Sequence, residues 1–199
     1  MTVGVWKVEE SHECLRAMFQ DFSIYEEGYA RFTSDKRKVE WLAVRALLKE
    51  LCGEEKSVSY YPSGKPYLTD GSARISFSHT QGYVAVAVHP CKEVAVDIEQ
   101  YGTRVKRVAH KFIRGDEQIP TEPHQEIQAL LLHWSAKETL YKLLDKEGVD
   151  FIRHLQVFPF ELVEEGEFVA CEHLTEQNEC FPVHYHTHPH YVLTYASRP

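Results

Sequence analysis

The stretch VAVDIEQY, residues 94–101, combines the features of a buried strand with two carboxylates. Its apolar residues, Val94–Val96 and Ile98, favour a strand inside a sheet. Side chains two positions apart on a strand point to the same face, so Asp97 and Glu99 lie side by side. Like charges in that arrangement repel each other. The stretch therefore predicts that something positively charged is held beside this strand.

The segments around this stretch alternate between helical and strand patterns. Three successive short strands are predicted: ARISFSHT (73–80), GYVAVAVHP (82–90) and CKEVAVDIEQ (91–100). Helical spacing predicts three helices: KRKVEWLAVRALLKELCG (36–53), TRVKRVAHKFI (103–113) and a long helix from about His124 to Leu144. Gly53 and Gly148 end the two long helices. From about residue 151 the chain alternates in the manner of strands.

This order of elements predicts an α+β fold. The pattern is loosely duplicated, with a seam near residue 95 and no linker there. Two halves packed against each other, residues 1–94 and residues 95–199, are therefore expected rather than two independent domains.

Composition narrows the class of protein. The chain has 199 residues and a formal net charge of −8, a balance that does not favour nucleic acid or an acidic membrane surface as partner. No apolar run is long enough to span a bilayer, and MTVGVWKVEE lacks the pattern of a secretory signal. The five cysteines form no C-x-x-C, which predicts reduced thiols and a cytoplasmic location: Cys14, Cys52, Cys91, Cys171 and Cys180.

A third carboxylate, Glu138, lies in the long helix. It belongs to a series spaced by four and three residues, which predicts an inward-facing seam: Ile127, Leu131, Trp134, Glu138 and Tyr141. A buried carboxylate has to be paired, protonated or bound to a cation. Lys142, four residues further along, offers an ordinary helix ion pair, and these residues alone leave that interpretation open.

Taken together, three carboxylates around one point need a cation. Oxygen-only ligands suit a hard metal, Mg²⁺ before Ca²⁺ or Zn²⁺. Mg²⁺ held in this way keeps positions for water and phosphate oxygens. The N-terminal half supplies cationic groups around the motifs GKP (64–66) and SFSHT (76–80) and in the cluster Lys36, Arg37, Lys38 and Arg45. A polyphosphate ligand lying across both halves fits this division.

Five motifs in this order resemble the 4'-phosphopantetheinyl transferase superfamily: GKP (64–66), SFSHT (76–80), VAVDIE (94–99), KFIRGDE (111–117) and WSAKETLYK (134–142). The combination of D-x-E with W-S-x-K-E-x-x-x-K is the most specific part. More narrowly, the chain resembles the larger monomeric type typified by the surfactin synthetase-activating enzyme. That type has two similar α+β halves packed with pseudo-two-fold symmetry.

The resemblance implies transfer of the 4'-phosphopantetheine arm of coenzyme A to a serine of an apo acyl or peptidyl carrier protein. It implies a monomer with Mg²⁺ on Asp97, Glu99 and Glu138, and catalysis by Asp97, Glu138 and Lys142. Residues 1–94 would bind the nucleotide, and residues 95–199 would carry the acids and the long catalytic helix. The contacts with coenzyme A would come from Arg45, Lys65, Ser78, His79, Lys137 and Lys142. Glu117 matches a further acid near the metal.

Two rival functions remain from other classes. One is a protein that binds coenzyme A or a carrier protein without catalysis, which the intact set of acids disfavours. The other is a metal-dependent phosphohydrolase, which has no use for the GKP and SFSHT motifs.

Two further patterns have competing interpretations. The acid-free segment 101–115 carries Arg104, Lys106, Arg107, Lys111 and Arg114, and is either a solvated face or a docking surface for an acidic partner. The run HYHTHPH (184–190) could bind Zn²⁺, but a solvated hairpin face is favoured because no Cys, Asp or Glu in its vicinity completes a site.

Overall fold

The structure is a computed structural model that describes residues 1–198. Helix and strand each account for 31% of the chain, so the predicted α+β class is confirmed. The helices are α1 (His12–Arg16), α2 (Ser23–Ala30), α3 (Asp35–Cys52), α4 (Arg104–Val108), followed by a 3-10 turn (Ala109–Lys111), and α5 (Pro123–Leu144). The strands are β1 (Thr2–Lys7), β2 (Val58–Tyr60), β3 (Pro66–Leu68), β4 (Arg74–Thr80), β5 (Tyr83–His89), β6 (Glu93–Gln100), β7 (Leu155–Val157), β8 (Glu165–Glu172), β9 (Cys180–His188) and β10 (Tyr191–Arg198).

Each of the two long helices is followed by a residue in the left-handed backbone conformation. Gly53 follows α3 in the left-handed conformation at φ 77°, as the sequence predicts, and its N–H bonds to the Lys49 carbonyl. Helix α5 ends earlier than Gly148, because Asp145 adopts φ 49° and donates its N–H to the Tyr141 carbonyl. Gly148 as the helix stop is therefore wrong, although the predicted last helical residue, Leu144, is right.

Each long helix packs on its own antiparallel sheet. The first sheet has the strand order β1-β5-β4 and packs against α3; the second has the order β6-β10-β9-β8-β7 and packs against α5. Strands β2 and β3 form a separate hairpin. A third, smaller core fills the space between the two sheets around Ala85, Ala87 and Val96. The boundary at residues 94 and 95 falls within β6, and the pseudo-two-fold relation of the halves stays a prediction.

The two sheets meet at the strands β4 and β6, through side chains and not through a backbone ladder. Three hydroxyls of β4 accept hydrogen bonds from alternate N–H groups of β6: Ser76 from Val96 at 3.2 Å, Ser78 from Ile98 at 3.3 Å and Thr80 from Gln100 at 3.2 Å. Backbone donors at a covered strand edge need such partners. We call these three residues and the N–H groups that they bind the hydroxyl seam.

Two features of the fold have no counterpart in the sequence-based assignment. Strand β1 pairs with β5, and α1 and α2 cover α3, although residues 1–34 show no clear periodicity. Among residues 1–198, no helix combines the length and the apolar character needed to cross a membrane.

The cysteines differ from the prediction of five reduced thiols. Cys171 on β8 and Cys180 on β9 are directly opposite partners, and the structure joins them in a disulfide. Their sequence separation did not reveal this pairing, because it depends on the register of two strands. The other three, Cys14, Cys52 and Cys91, are free. The cytoplasmic location stays a prediction.

Candidate active site

Asp97 is the most buried of the three predicted metal-binding acids, with 4% of the residue exposed. Its Oδ1 accepts hydrogen bonds from Ser78 Oγ at 2.9 Å and from Lys142 Nζ at 2.8 Å. Its Oδ2 is buried and has no hydrogen-bond partner among the described residues. A buried carboxylate oxygen without a donor is uncommon and is available to a cation.

Glu99 lies half-buried on the same strand as Asp97. Its Oε1 accepts a hydrogen bond of 2.7 Å from Trp134 Nε1 in α5. Burial, and then the charge of Asp97, raise the pKa of Glu99 to about 7. The sequence pattern placed Trp134 in a helical seam but gave no signal for this hydrogen bond, which joins β6 to α5.

Glu138, on α5, is affected by the negative charge of Asp97, as Glu99 is. Burial, followed by the charge of Asp97, raises the pKa of Glu138 to about 7, and Lys142 opposes the change. Burial is the larger cause of both shifts and the charge of Asp97 the next, so the three carboxylates interact in a site that is largely shielded from water. The structure therefore brings Asp97, Glu99 and Glu138 into one electrostatic cluster.

The cluster supplies oxygen ligands of the kind that Mg²⁺ prefers, and Asp97 Oδ2 is free to take part. With the side chains in their present rotamers, no three His, Cys, Asp or Glu residues within 1–198 converge closely enough to hold a metal ion. The donor chemistry thus fits a divalent cation, while one oxygen of Glu99 is occupied by Trp134.

Lys142 does not form the helix ion pair that the spacing allowed. Its Nζ lies 2.8 Å from Asp97 Oδ1 and 3.0 Å from the Val96 carbonyl oxygen, so it bridges α5 and β6. About a quarter of its side chain, 28%, remains exposed. Lys142 therefore stands at the boundary between the acids and the adjoining cleft.

The prediction of an inward-facing seam on α5 is wrong, because most of its residues do not point into the core. Tyr141 is 44% exposed, Ile127, Trp134 and Glu138 are half-buried, and only Leu131 is buried. The stripe that packs on β6 and β10 consists of residues without exposed surface: Leu132, Ala136 and Leu140. Because that apolar stripe takes the core side, the predicted seam lies at the rim of the site.

Lys137 is placed apart from the acids, in the interior of the second half. Its ammonium and the Glu117 carboxylate have no exposed side-chain surface and lie 2.8 Å apart. The ammonium also donates to the carbonyl oxygens of Phe112 and Phe151. Lys137 thus has a buried partner in this structure, and its contact with coenzyme A stays a prediction. Glu117 likewise belongs to this buried pair.

A cleft of about 390 Å³ reaches Lys142, the partner of Asp97, although none of the three acids lines it. The GKP turn, β4 and the end of α5 line it, with Lys65, Phe77, Tyr141 and Lys142 among the lining residues. Lys65 Nζ lies 2.7 Å from the carboxylate of Glu93, so its charge is partly balanced. A second cavity, of about 270 Å³, shares Gly64, Pro66 and Phe77 with the first and extends the cleft across the N-terminal half.

The second cavity contains two predicted nucleotide contacts. Arg45 is 3% exposed; its guanidinium lies 3.5 Å from the Trp41 ring centroid and donates to the Tyr60 hydroxyl at 3.0 Å. His79 is about half exposed, with Nε2 3.6 Å from a Glu40 carboxylate oxygen. Arg45 and His79 thus line one space, although only His79 presents much surface.

Ser78 is not on the same side of β4 as His79. Successive residues of a strand point to opposite faces, so the Ser78 hydroxyl lies in the hydroxyl seam and bonds to Asp97. The side chains of the predicted Ser-His pair therefore point to opposite faces of β4, and the contact of this pair with a nucleotide stays a prediction.

A family model for the 4'-phosphopantetheinyl transferase superfamily matches residues 93–196, from the first residue of β6 into β10. The chain belongs to this superfamily. The match contains all three acids, Lys142 and the whole of α5. No curated protein matches the chain.

Because the chain belongs to this superfamily, its general function is the transfer of phosphopantetheine. Members act on carrier proteins and take the group from coenzyme A. The GKP and SFSHT motifs lie outside the matched residues. Their assignment to the site therefore rests on the cleft that they line.

The histidine-rich hairpin has acidic neighbours that the sequence did not reveal. The register of β8 and β9 places Glu167 beside His184 at 3.1 Å and Glu165 beside His186 at 3.7 Å. Acids therefore do lie beside this hairpin, and the absence of a complete metal site there stays a prediction. The described part of the chain still contains no group of three side chains placed to hold a metal there.

Proposed function

We propose that this protein transfers 4'-phosphopantetheine from coenzyme A to a serine of an apo acyl or peptidyl carrier protein and releases adenosine 3',5'-bisphosphate. The observation that carries the proposal is the buried Oδ2 of Asp97, which has no hydrogen-bond partner among residues 1–198 and belongs to a cluster with two carboxylates of raised pKa, inside the segment that the superfamily matches. That arrangement is suited to a cation that binds phosphate.

Asp97, Glu99 and Glu138 would hold the Mg²⁺ that the proposed reaction uses. When bound, the ion would neutralise charge on the pyrophosphate of coenzyme A. Glu99 would be oriented by its hydrogen bond from Trp134, and Asp97 by its two donors on Oδ1.

Residues of the chain would accept the serine proton and balance the charge on the leaving group. The carrier serine oxygen forms a bond to the β-phosphorus while the bond to the 3',5'-ADP oxygen breaks. Glu138, or a water bound at the acids, would accept the serine proton as the general base. Lys142 can turn from Asp97 towards the phosphates and balance the charge on the leaving group.

Coenzyme A would lie along the two joined cavities. Lys65 would contact the phosphates in competition with Glu93, while Arg45 and His79 would bind the nucleotide end, with His79 at the 3'-phosphate. Arg37 also lines that cavity and lies 3.7 Å from Glu40. Lys137, which is buried against Glu117, would have to leave that pair to take part in this set.

The carrier protein would dock on the basic segment 104–114. Two of its five cations are paired, Lys106 with Glu126 and Arg114 with Asp116. The exposed residues Arg104, Arg107 and Lys111 have no ion-pair partner among residues 1–198. Carrier proteins of this class are expected to be acidic, so this local charge would oppose the repulsion from a chain of net charge −8.

Two exposed apolar residues would add to the docking surface. Val105 and Phe112 are buried, so the apolar face of the segment is used in the core. Exposed apolar surface comes instead from Tyr141 (44%) and Ile152 (36%). The Ile152 carbonyl accepts a hydrogen bond from Arg114 at 3.1 Å, which holds it beside the basic segment.

The finer features that we propose are those of the larger monomeric type. They are a monomer with pseudo-two-fold halves, a nucleotide-binding side in residues 1–94, the acids and catalytic helix in residues 95–199, and a cytoplasmic location. Neither nucleic acid nor a membrane is a proposed partner.

Mass spectrometry of apo carrier proteins tests the reaction. Fatty-acid, polyketide and peptide carriers are incubated separately with the protein, coenzyme A and Mg²⁺, with an EDTA sample as control. We expect a carrier to gain the mass of phosphopantetheine and adenosine 3',5'-bisphosphate to appear in equal amount. Cleavage of coenzyme A without a mass gain would instead indicate a phosphohydrolase, and binding without either product a non-catalytic protein.

A further inference from the structure

Ser78 differs from the other members of the hydroxyl seam. Its Oγ accepts a hydrogen bond from the Ile98 N–H at 3.3 Å and also donates one to Asp97 Oδ1 at 2.9 Å. Ser76 and Thr80 also accept from β6 N–H groups, but among residues 1–198 neither bonds to a carboxylate. Within the seam, Ser78 is therefore the residue that connects the first sheet to an acid of the active site.

The direction of this hydrogen bond is fixed by its surroundings. A hydroxyl has one proton, and because Ser78 Oγ receives the Ile98 N–H, its own proton is available to Asp97. Ser78 is 7% exposed and Asp97 4%, so little water competes for the contact. Such a bond to a charged acceptor in a shielded place is stronger than an ordinary one.

The distribution of donors over the two oxygens of Asp97 is uneven. Ser78 and Lys142 both donate to Oδ1, at 2.9 and 2.8 Å, and no group among the described residues donates to Oδ2. Donors on one oxygen hold the plane of the carboxylate and leave the other oxygen available to a ligand, and the Ser78 donor stays in place when Lys142 turns towards the phosphates.

We propose that Ser78 is a positioning residue for the divalent cation and does not bind the nucleotide. Its hydroxyl, held by the backbone of β6, keeps Asp97 in the orientation that leaves Oδ2 free. The proposal rests on the proposed function in assigning the cation to Asp97. It also replaces the contact with coenzyme A that the family resemblance implies for Ser78.

Two binding measurements separate the proposal from a nucleotide contact. Mn²⁺, used as the probe for the cation site, is titrated calorimetrically into the full-length protein, and coenzyme A is titrated separately in EDTA. For Ser78→Ala we expect Mn²⁺ affinity to fall by about 10- to 100-fold, the usual effect of removing a partner of a metal ligand. The affinity for coenzyme A without metal should be unchanged.

Matched variants test the mechanism. Thr80→Val removes another seam hydroxyl at nearly constant shape, and its affinity for Mn²⁺ should equal that of the wild type. Ser78→Thr, which restores a hydroxyl, should recover most of the affinity that Ser78→Ala loses. Should Ser78→Ala fail to fold in thermal unfolding, Ser78→Cys replaces it, because a thiol fills the same place but is a weak donor.

Three results would overturn the proposal. They are wild-type Mn²⁺ affinity in Ser78→Ala, an equal loss in Thr80→Val, or a loss of metal-free coenzyme A binding as large as the loss of Mn²⁺ binding. A wild type that binds no Mn²⁺ would also overturn it. A wild type that binds Mn²⁺ and coenzyme A but modifies no carrier would refute only the proposed reaction.

Discussion

Removal of the Glu117 carboxylate should destabilise the fold far more than the loss of an ordinary ion pair. Glu117 lies 2.8 Å from the Lys137 ammonium, and neither side chain is exposed. The same carboxylate accepts the N–H groups of Arg114 and Val157, both at 2.8 Å. Glu117→Ala would leave one buried cation and two backbone donors without this partner.

The size of the effect follows from the burial. Removing one member of a buried ion pair costs about 3–5 kcal/mol, because the remaining charge is uncompensated. Domains are stable by only about 5–15 kcal/mol in total. For a chain of this length, each kcal/mol lowers the melting temperature by about 2–4 °C. We therefore expect Glu117→Ala to melt about 6–20 °C below the wild type.

Urea unfolding of four proteins measures this effect. They are the wild type, Glu117→Ala, the double variant Glu117→Gln/Lys137→Met, and Glu126→Ala. Glu126 pairs with Lys106 at the surface, where a pair contributes only about 0–1 kcal/mol, and so provides a control for charge removal. The double variant removes both charges and should recover part of the loss.

The result also decides between two roles for Lys137. If Lys137 is structural, Lys137→Met should bind coenzyme A with wild-type affinity at a temperature where it is folded. A loss in Glu117→Ala no larger than in Glu126→Ala, or a double variant as unstable as Glu117→Ala, would refute the reasoning. A folded Lys137→Met that no longer binds coenzyme A would restore the phosphate contact.

Four further predictions concern the site itself. Asp97→Ala and Glu138→Ala should each lower the rate of carrier modification by roughly a thousandfold or more, since several kcal/mol of transition-state stabilisation is lost, and near-normal rates with Mg²⁺ would contradict the assignment of the acids. Thermal unfolding of Glu138→Ala should stay unchanged or improve because repulsion is relieved, whereas Asp97→Ala should melt lower because Lys142 and Ser78 lose their partner. The two glutamates whose folded pKa values are raised to about 7 bind more protons when folded than when unfolded, so without metal their contribution to the free energy of unfolding, measured as the difference from the variant Glu99→Gln/Glu138→Gln, should fall as pH rises from about 4.5 through 7, and a rise of that difference would refute the pKa values. His79→Ala should weaken binding of coenzyme A about tenfold or more but hardly affect binding of dephospho-coenzyme A, because a charge-assisted bond to the 3'-phosphate is lost. If calorimetry shows equal losses of affinity for the two ligands, His79 does not contact the 3'-phosphate. Reversal of Arg107 and Lys111 to Glu should raise the KM for the carrier and leave the KM for coenzyme A unchanged, and steady-state kinetics showing the opposite pattern would exclude the segment as docking surface.

The sequence by itself determined the elements that depend on local periodicity. The strand before Asp97, the helix that ends at Gly53 and the α+β class are visible in residue spacing, because side-chain direction repeats every two residues in a strand and every 3.6 in a helix. The same alternation predicts that Asp97 and Glu99 share one face of their strand, and the order of the motifs predicts the superfamily.

Only the tertiary structure decided which partner each polar group has. Lys137 and Lys142 are five positions apart on the same helix, yet Lys137 is buried with Glu117 and Lys142 reaches Asp97. The disulfide at Cys171 and the bond from Ser78 to Asp97 likewise join residues from different strands. Such contacts depend on how helices rotate and strands register against each other, and spacing along the chain does not specify either.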